Sequence, residues 1–414
     1  MFRDILIYIS AYIGLFAVSF YFLSLISRIK EKHPTLSEDR LPKVSIIIPA
    51  FNEEKGIGGS IKFALNIDYP KSKLEIIVVD DGSKDNTYNV AKSYKNKIVR
   101  VFKLRKNKGK GAAINFGLDK AKGEIVVTMD ADNTIVKSDV LKNMVAYFQN
   151  PKVMCVSPII AIYKPKGILQ RVQQVEYLLG VFLRKAFSSV NAVHITPGAF
   201  SSYRKRFFDK YGGFDEKNLT EDMEVALRIQ KNQFIIENSL ESVVYTVAPN
   251  KFFNLLKQRR RWYTGLLKNL WNYRMLFSKE YGVMGTIVLP IAIITIILSV
   301  ILTSYLLVNT IIQVKKEILL LKSINFDFAS IFELNKFAIE RFFFILFSNP
   351  VTSFFLLFIF ILGGYMIFSK TKVKEHSNIK LSIFLFSFIY AFLFAFWWII
   401  SFVYALFGKK VSWR

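Results

Sequence analysis

The sequence predicts a two-part molecule: a doubly wound, mostly parallel α/β sheet, and a helical region that crosses a membrane. Three observations carry this. Short apolar runs alternate with helical segments between residues 44 and 130, which is the pattern of βαβ units. Acidic motifs stand at the ends of those runs, where the ligand crevice of an open α/β sheet lies. Residues 5–27, 281–314, 342–369 and 381–408 contain no Asp, Glu, Lys or Arg. Each exceeds the roughly 20 residues a helix needs to span a bilayer.

In chain order, residues 5–27 form the first apolar stretch. It is long for a signal-peptide core, lacks a small-residue cleavage site and runs into the basic segment 28–33. It reads as a retained anchor. After a polar linker, strands are expected at 44–48, 75–79, 98–104 and 125–129, with helices at 54–65, 87–94 and 112–120. No G-x-G-x-x-G follows the first strand, which argues against a dinucleotide site of the NAD type. A helix over 167–186 carries apolar residues at core-facing spacing. Over 251–276, Phe252, Leu255, Leu256, Tyr263, Leu266, Leu267 and Leu270 form one stripe. Lys251, Lys257, Arg259, Arg260, Lys268 and Arg274 fill much of the remainder, as in a basic helix lying in the headgroup plane. The domain boundaries read as anchor 1–30, α/β domain 40–250, interfacial helix 251–280 and membrane region 281–414.

A net charge of +26 raises nucleic-acid binding. No finger, RRM or helix-turn-helix signature accompanies it, and many basic residues flank the apolar stretches, as the positive-inside rule requires. A membrane-facing basic surface accounts for the rest. Segments 28–33 and 370–380 are basic and therefore expected on the cytoplasmic side, together with the α/β domain. The 315–341 segment, read as a loop of mixed charge, is expected on the far side. A break near Asn349-Pro350 would change the count of crossings. With one cysteine and three histidines, disulfides within the chain and a Cys-rich or His-rich metal site are excluded.

Four motifs carry chemistry. Asp130-Ala131-Asp132 closes a strand, and in extended chain residues i and i+2 face one side. Two carboxylates there suit Mg²⁺ or Mn²⁺ on a diphosphate. Asp80-Asp81-Gly82-Ser83 ends another strand, offering acceptors to a ribose or a uracil N–H beside an ordinary glycine turn. Thr220-Glu221-Asp222 opens a helix. Thr220 reads as its N-cap, and Asp222 as a base for an acceptor hydroxyl. Gln258-Arg259-Arg260-Arg261-Trp262 combines a sugar-stacking ring with phosphate-binding donors.

Taken with 44–54, Asn107-Lys108-Gly109-Lys110 and Pro197-Gly198-Ala199, these motifs resemble the membrane-bound family 2 glycosyltransferases. That group includes poly-N-acetylglucosamine, chitin-oligosaccharide, hyaluronan and cellulose synthases. The resemblance covers about residues 40–280. It implies a GT-A fold, a Rossmann-like mixed sheet, and inverting transfer from a UDP-sugar. The uridine would meet Asp80 or Asp81, helped by Pro49, Asn52 and Glu53. Asp130, Ala131 and Asp132 would hold the diphosphate and its metal, and Asp222 would be the base. Gly198, Glu221, Gln258, Arg261 and Trp262 would border the acceptor and diphosphate. Lys110 would either approach the diphosphate or serve the start of a helix. The implied acceptor is a growing polysaccharide or a membrane lipid of ceramide or polyprenyl type. The partners implied are the UDP-sugar donor and the bilayer, with room for an accessory membrane subunit. The implied location is a multi-pass enzyme of the cell membrane.

Overall fold

The computed structural model describes residues 2–26, 33–131, 135–136, 138–323, 336–348, 350–373 and 379–407. A first helix α1 (Phe2–Ile26) leads into β1 (Val44–Ala50), α2 (Ile57–Leu65), β2 (Leu74–Asp80), α3 (Thr87–Lys92), β3 (Val99–Lys103), α4 (Lys110–Lys120) and β4 (Ile125–Thr128). The second half of the sheet adds β5 (Ile135–Val136), α5 (Val140–Val145), β6 (Val153–Ile162), α6 (Ile168–Ser189), β7 (Ser201–Arg204), α7 (Lys205–Tyr211), α8 (Glu221–Lys231) and β8 (Ile235–Thr246). Five long helices follow: α9 (Phe252–Asn272), α10 (Leu289–Ser323), α11 (Lys336–Ser348), α12 (Pro350–Val373) and α13 (Lys380–Leu406).

The strands form one eight-stranded sheet in the order β3-β2-β1-β4-β7-β6-β8-β5. The pairs β1/β2, β1/β4 and β2/β3 are parallel, whereas β7 runs antiparallel to both β4 and β6. The all-parallel arrangement therefore stops after β4 and the sheet is mixed. Every residue of β1 is buried because both faces of the sheet are covered, as a doubly wound strand requires. Val44, Ile46 and Ile48 enter one apolar cluster with α2 and α5, and Ile47 enters the other with α4 and α8.

Loop contacts trim the expected elements. The helix expected from 54 begins at Ile57 because the Glu53 and Glu54 amides donate instead to Thr87 Oγ1 (2.7 Å) and Asp85 Oδ2 (3.2 Å).

Four helical stretches are long and apolar enough to cross a membrane: Asp4–Ile26, Met284–Ser323, Thr352–Val373 and Lys380–Leu406. Two details differ from the sequence reading. Residues 315–323, read as loop, continue α10. The apolar stretch 342–369 divides between α11 and α12, and Pro350 opens α12 at a position where a missing N–H costs nothing.

Helices α6 and α9 form the layer between sheet and membrane helices. Phe182 of α6 stacks on Tyr365 of α12 with centroids 3.5 Å apart. Tyr21 of α1 meets Phe187 edge-on at 5.1 Å. Tyr263 of α9 stacks on Trp398 of α13 at 4.3 Å. The amphipathic helix expected over 251–276 is thus α9, packed on α6 and α13. Arg259, read as part of its basic face, is buried and pairs with Glu176 of α6 at 2.7 Å. Arg260 reaches the Tyr404 hydroxyl of α13 at 3.0 Å. Lys251, Lys257, Lys268 and Arg274 do remain exposed.

Candidate active site

Strand order reverses between β1 and β4: from β1 the chain builds outward through β2 and β3, and β4 pairs on the other side. A crevice opens at such a switch point, beyond the carboxyl ends of the strands. The loop after β1 is held open by hydrogen bonds to the loop after β2. Asn52, in the left-handed region at φ 54°, donates its amide to Ser83 Oγ (2.9 Å), and its side-chain oxygen accepts from the Lys84 amide (2.9 Å). Gly82 at φ +71° allows the turn, and a Cβ there would lie 2.7 Å from the Lys106 backbone. Pro49 is buried opposite Val79, so it shapes the strand end.

The two aspartates after β2 do different work. Asp81 accepts from the amides of Lys108 (2.9 Å) and Gly109 (2.8 Å), and so orders the loop that launches α4. Burial pushes its carboxyl above the ordinary range, against these two bonds. Asp80 is fully buried. Its Oδ1 accepts from the Ser83 amide at 3.1 Å, and its Oδ2 has no hydrogen-bond partner among the described residues. The Lys103 ammonium stands 4.0 Å away, beyond hydrogen-bond reach.

Lys110 is the centre of the crevice. Its ammonium lies 2.7 Å from Asp130 and 3.5 Å from Glu221. Burial opposes its charge, yet the carboxylates of Asp130, Glu221 and Asp222 outweigh burial and hold the group protonated above the usual lysine range. Lys110 also opens α4, as the helix-start reading expects. Ala131 is buried and its carbonyl accepts from Ser60 Oγ at 3.0 Å. Asp132 lies outside the described residues. Among the described residues no group of three His, Cys, Asp or Glu side chains is assembled for a metal.

Asp222 faces the same point from α8. Burial and the neighbouring Glu221 push its carboxyl up to about 6, against the attraction of Lys110 and Arg261. The residue retains some exposure. Thr196 Oγ1 donates to the Asp222 carbonyl at 2.9 Å, tying the 196–199 turn to the start of α8. Thr220 does not cap this helix with its hydroxyl. That oxygen accepts instead from Asn269 Nδ2 of α9 at 3.0 Å, because α9 approaches closely: a Cβ on Gly265 would lie 2.4 Å from it. Gln258, Arg261 and Trp262 are partly buried on the same helix. Gln258 Oε1 has no partner among the described residues, and the Arg259 guanidinium lies 4.5 Å over the Trp262 ring.

Gly198, within the 196–199 turn, is also a contact point. A Cβ on it would lie 3.0 Å from both Lys110 Nζ and Asp222 Oδ2. Gly198→Ala is therefore expected to displace both groups and lower turnover roughly 10- to 100-fold with the melting temperature held. Donor-consumption kinetics beside a thermal melt would check this. A separate cavity of about 380 Å³, lined by Tyr147, Lys185, Glu237, Glu241 and Lys372, contains none of these groups.

Comparison with known proteins fits this geometry. Residues 45–212 match the family model described as glycosyl transferase family 2. The chain carries a glycosyl transferase family 2 domain. A poly-beta-1,6-N-acetyl-D-glucosamine synthase of Staphylococcus epidermidis is 29% identical over 237 residues, which is 55% of this chain and 57% of the relative. A probable glycosyltransferase, YdaM, of Bacillus subtilis is 31% identical over 232 residues, 54% of this chain and 55% of the relative. The match thus spans little more than half the length of these relatives. Among solved structures, the mannosyltransferase PcManGT from Pyrobaculum calidifontis, in complex with GDP-Man and Mn²⁺, aligns over 99% of this chain and 100% of its own. Its TM-score is 0.58 at 17% identity, which establishes the GT-A fold. The family 2 domain thus includes β1 through α7, while Asp222 and the Gln258–Trp262 element lie beyond the matched residues.

Sequence reasoning named Lys110, Asp130, Glu221 and Asp222 but did not foresee that Lys110 joins them, nor what supports the site. Lys110 as the hub follows from long-range packing. The buried Glu176–Arg259 pair joins residues far apart in sequence, and no local pattern marks it.

Proposed function

We propose that the chain is a processive, inverting glycosyltransferase. It moves a sugar, GlcNAc or another hexose, from a UDP-sugar to the growing end of a β-linked polysaccharide. The observation that carries this is the convergence of Lys110, Asp130, Glu221 and Asp222 at the crevice between β1 and β4. The staphylococcal relatives named as poly-beta-1,6-N-acetyl-D-glucosamine synthases support a polymeric acceptor.

In this reading the orphaned Asp80 Oδ2 accepts a uracil N–H or ribose hydroxyl, with Asn52 and Glu53 at the rim. Asp130 and Asp132 would hold the diphosphate with Mg²⁺ or Mn²⁺, which when bound would supply positive charge against that developing on the leaving diphosphate. The residues fit such an ion: Asp130 is a partly exposed carboxylate at the crevice, and substrate phosphates ordinarily complete sites of this kind. Lys110 and Arg261 add positive charge beside the diphosphate. The acceptor hydroxyl oxygen attacks the anomeric carbon as Asp222 takes its proton. The bond to the UDP oxygen breaks on the opposite side, and UDP leaves with the electron pair. Trp262 offers its ring to the acceptor sugar, with Gln258, Gly198 and Glu221 beside it.

The domain acts from the cytoplasmic side, with residues 1–30 as anchor, 40–250 as catalytic domain, 251–280 as the acceptor-bordering helix and 281–414 as the membrane region. Basic segments beside the apolar stretches support this orientation. The test is UDP release by purified protein offered UDP-GlcNAc, UDP-glucose and UDP-glucuronate with Mg²⁺ or Mn²⁺, with products sized on a gel. A polymer ladder from one donor is expected. A single glycolipid would replace the polymer with a lipid acceptor, and no release together with no UDP binding would overturn the reading.

A further inference from the structure

Other arginines packed into the described structure each have acceptors for part of the guanidinium. Arg259 has Glu176 at 2.7 Å. Arg228 has Glu224 at 3.1 Å and the carbonyls of Tyr211, Gly212 and Gly213. Arg204 has the carbonyls of Phe148, Val153 and Asn150. Arg184 of α6 differs. Its Nε and Nη2 are sealed from solvent and have no hydrogen-bond partner among the described residues. Burial lowers its pKa, and the titratable group acting on it is Tyr177, not a carboxylate. Sealing two guanidinium nitrogens from water without an acceptor is costly, and no acceptor among the described residues offsets it.

One side of α6 beside it is only partly covered. Leu178 and Val181 of α6 pack with Val243 and Val373, and Phe182 stacks on Tyr365. Tyr177, Gly180 and Arg184 follow one another along another side of the helix and stay partly open. A Cβ on Gly180 would meet only this guanidinium, with Nη2 at 3.7 Å, so the helix surface beside it is otherwise clear. Tyr177 at the near end of this strip lies within electrostatic reach of both Arg184 and Asp130, which connects it to the crevice. Phe182 and Phe187, two and three residues from Arg184, contact α12 and α1, so this part of α6 lies where the candidate spans meet the domain.

We propose that Arg184 is an anion-binding position that takes the phosphate of a membrane lipid, admitted along the Tyr177–Gly180–Arg184 side of α6. A planar guanidinium presents paired N–H donors that match phosphate oxygens. The membrane-level position favours a lipid-anchored phosphate over one in solution. Two sources share this chemistry, a phospholipid headgroup and a polyprenyl phosphate that serves as acceptor or primer. The inference rests on the reading of the chain as a membrane glycosyltransferase.

The test uses the full chain in a maltoside detergent, which carries no phosphate. It is titrated with phosphatidylglycerol, undecaprenyl phosphate or, as a phosphate-free control, diacylglycerol. Bound lipid is counted by native mass spectrometry, and UDP binding is measured in parallel by calorimetry. Wild type is expected to retain a phospholipid or polyprenyl phosphate at least tenfold better than diacylglycerol. Arg184→Gln removes that preference, Arg184→Lys restores part of it, and UDP binds both variants as it binds wild type. Retention of undecaprenyl phosphate alone identifies an acceptor or primer, and retention of both a headgroup site. Equal retention of all three lipids, or an Arg184→Gln variant that holds phosphate lipids as wild type does, overturns the proposal. Loss of UDP binding by wild type itself would instead strike the glycosyltransferase reading.

Discussion

Replacing Asp222 with asparagine is expected to lower transfer by about 10²–10⁴ and to leave UDP binding intact. The amide keeps the size of the side chain and its hydrogen bond from the Met223 amide but cannot take a proton. The pH profile supplies an independent check. A base works only when ionised, and the Asp222 carboxyl is pushed up to about 6 by burial and by Glu221. Wild-type turnover should therefore rise as pH increases through about 6 and level off above it. The limb should move down if Glu221→Gln removes the adjacent negative charge. An Asp222→Asn enzyme with normal turnover would sink the base assignment. A flat wild-type profile between pH 5 and 7 would do the same.

The second large effect is on stability. Glu176→Ala leaves the Arg259 guanidinium, 4% exposed at the side chain, without its counter-charge. Breaking a buried pair from one side costs about 3–5 kcal/mol, which for a domain of this size lowers the melting temperature by roughly 10 °C. The physical content lies in the asymmetry. Removing both partners together, as Glu176→Leu with Arg259→Met, should recover most of the loss, because replacing a buried pair by packed apolar groups is often near neutral. Differential scanning fluorimetry in detergent would read both. A single variant as stable as wild type, or a double variant no better than the single, would show that the pair does not hold α9 on α6. The consequence would extend to the acceptor side, since Arg259 lies over Trp262.

Much of the sheet and of the site was legible because its signals are local. The first four strands show as apolar runs, since both faces of a central parallel strand are buried and a polar residue within it, such as Ser45 of β1, needs its own hydrogen-bond partners. The aspartates after β2 and β4 were visible because a crevice at the strand ends requires polar groups just where the apolar runs stop. The later strands were not legible in the same way. In β7, Ser201 and Ser202 are buried and polar, and β8 mixes Glu237, Asn238 and Ser239 with apolar residues. Some of these polar groups find partners distant in sequence, among them Asn238 Nδ2, which donates to the Ser157 carbonyl at 3.1 Å. Thr220 shows the same limit at one residue. Its local pattern is that of a helix cap, yet Asn269 from α9 occupies the hydroxyl.

By itself the sequence determined the fold class, the four candidate spans and the identity of the crevice carboxylates. These depend on periodicity, on uncharged length and on strand ends, all of which are written along the chain. Only the tertiary structure decided that Lys110 joins Asp130, Glu221 and Asp222, that Asp81 holds a loop, that Arg259 is buried, and that among the described residues Asp80 Oδ2 and two nitrogens of Arg184 have no partner. Charges take their roles from what surrounds them. Which carboxylate meets which cation is fixed by helices and strands that packing brings together from opposite ends of the chain.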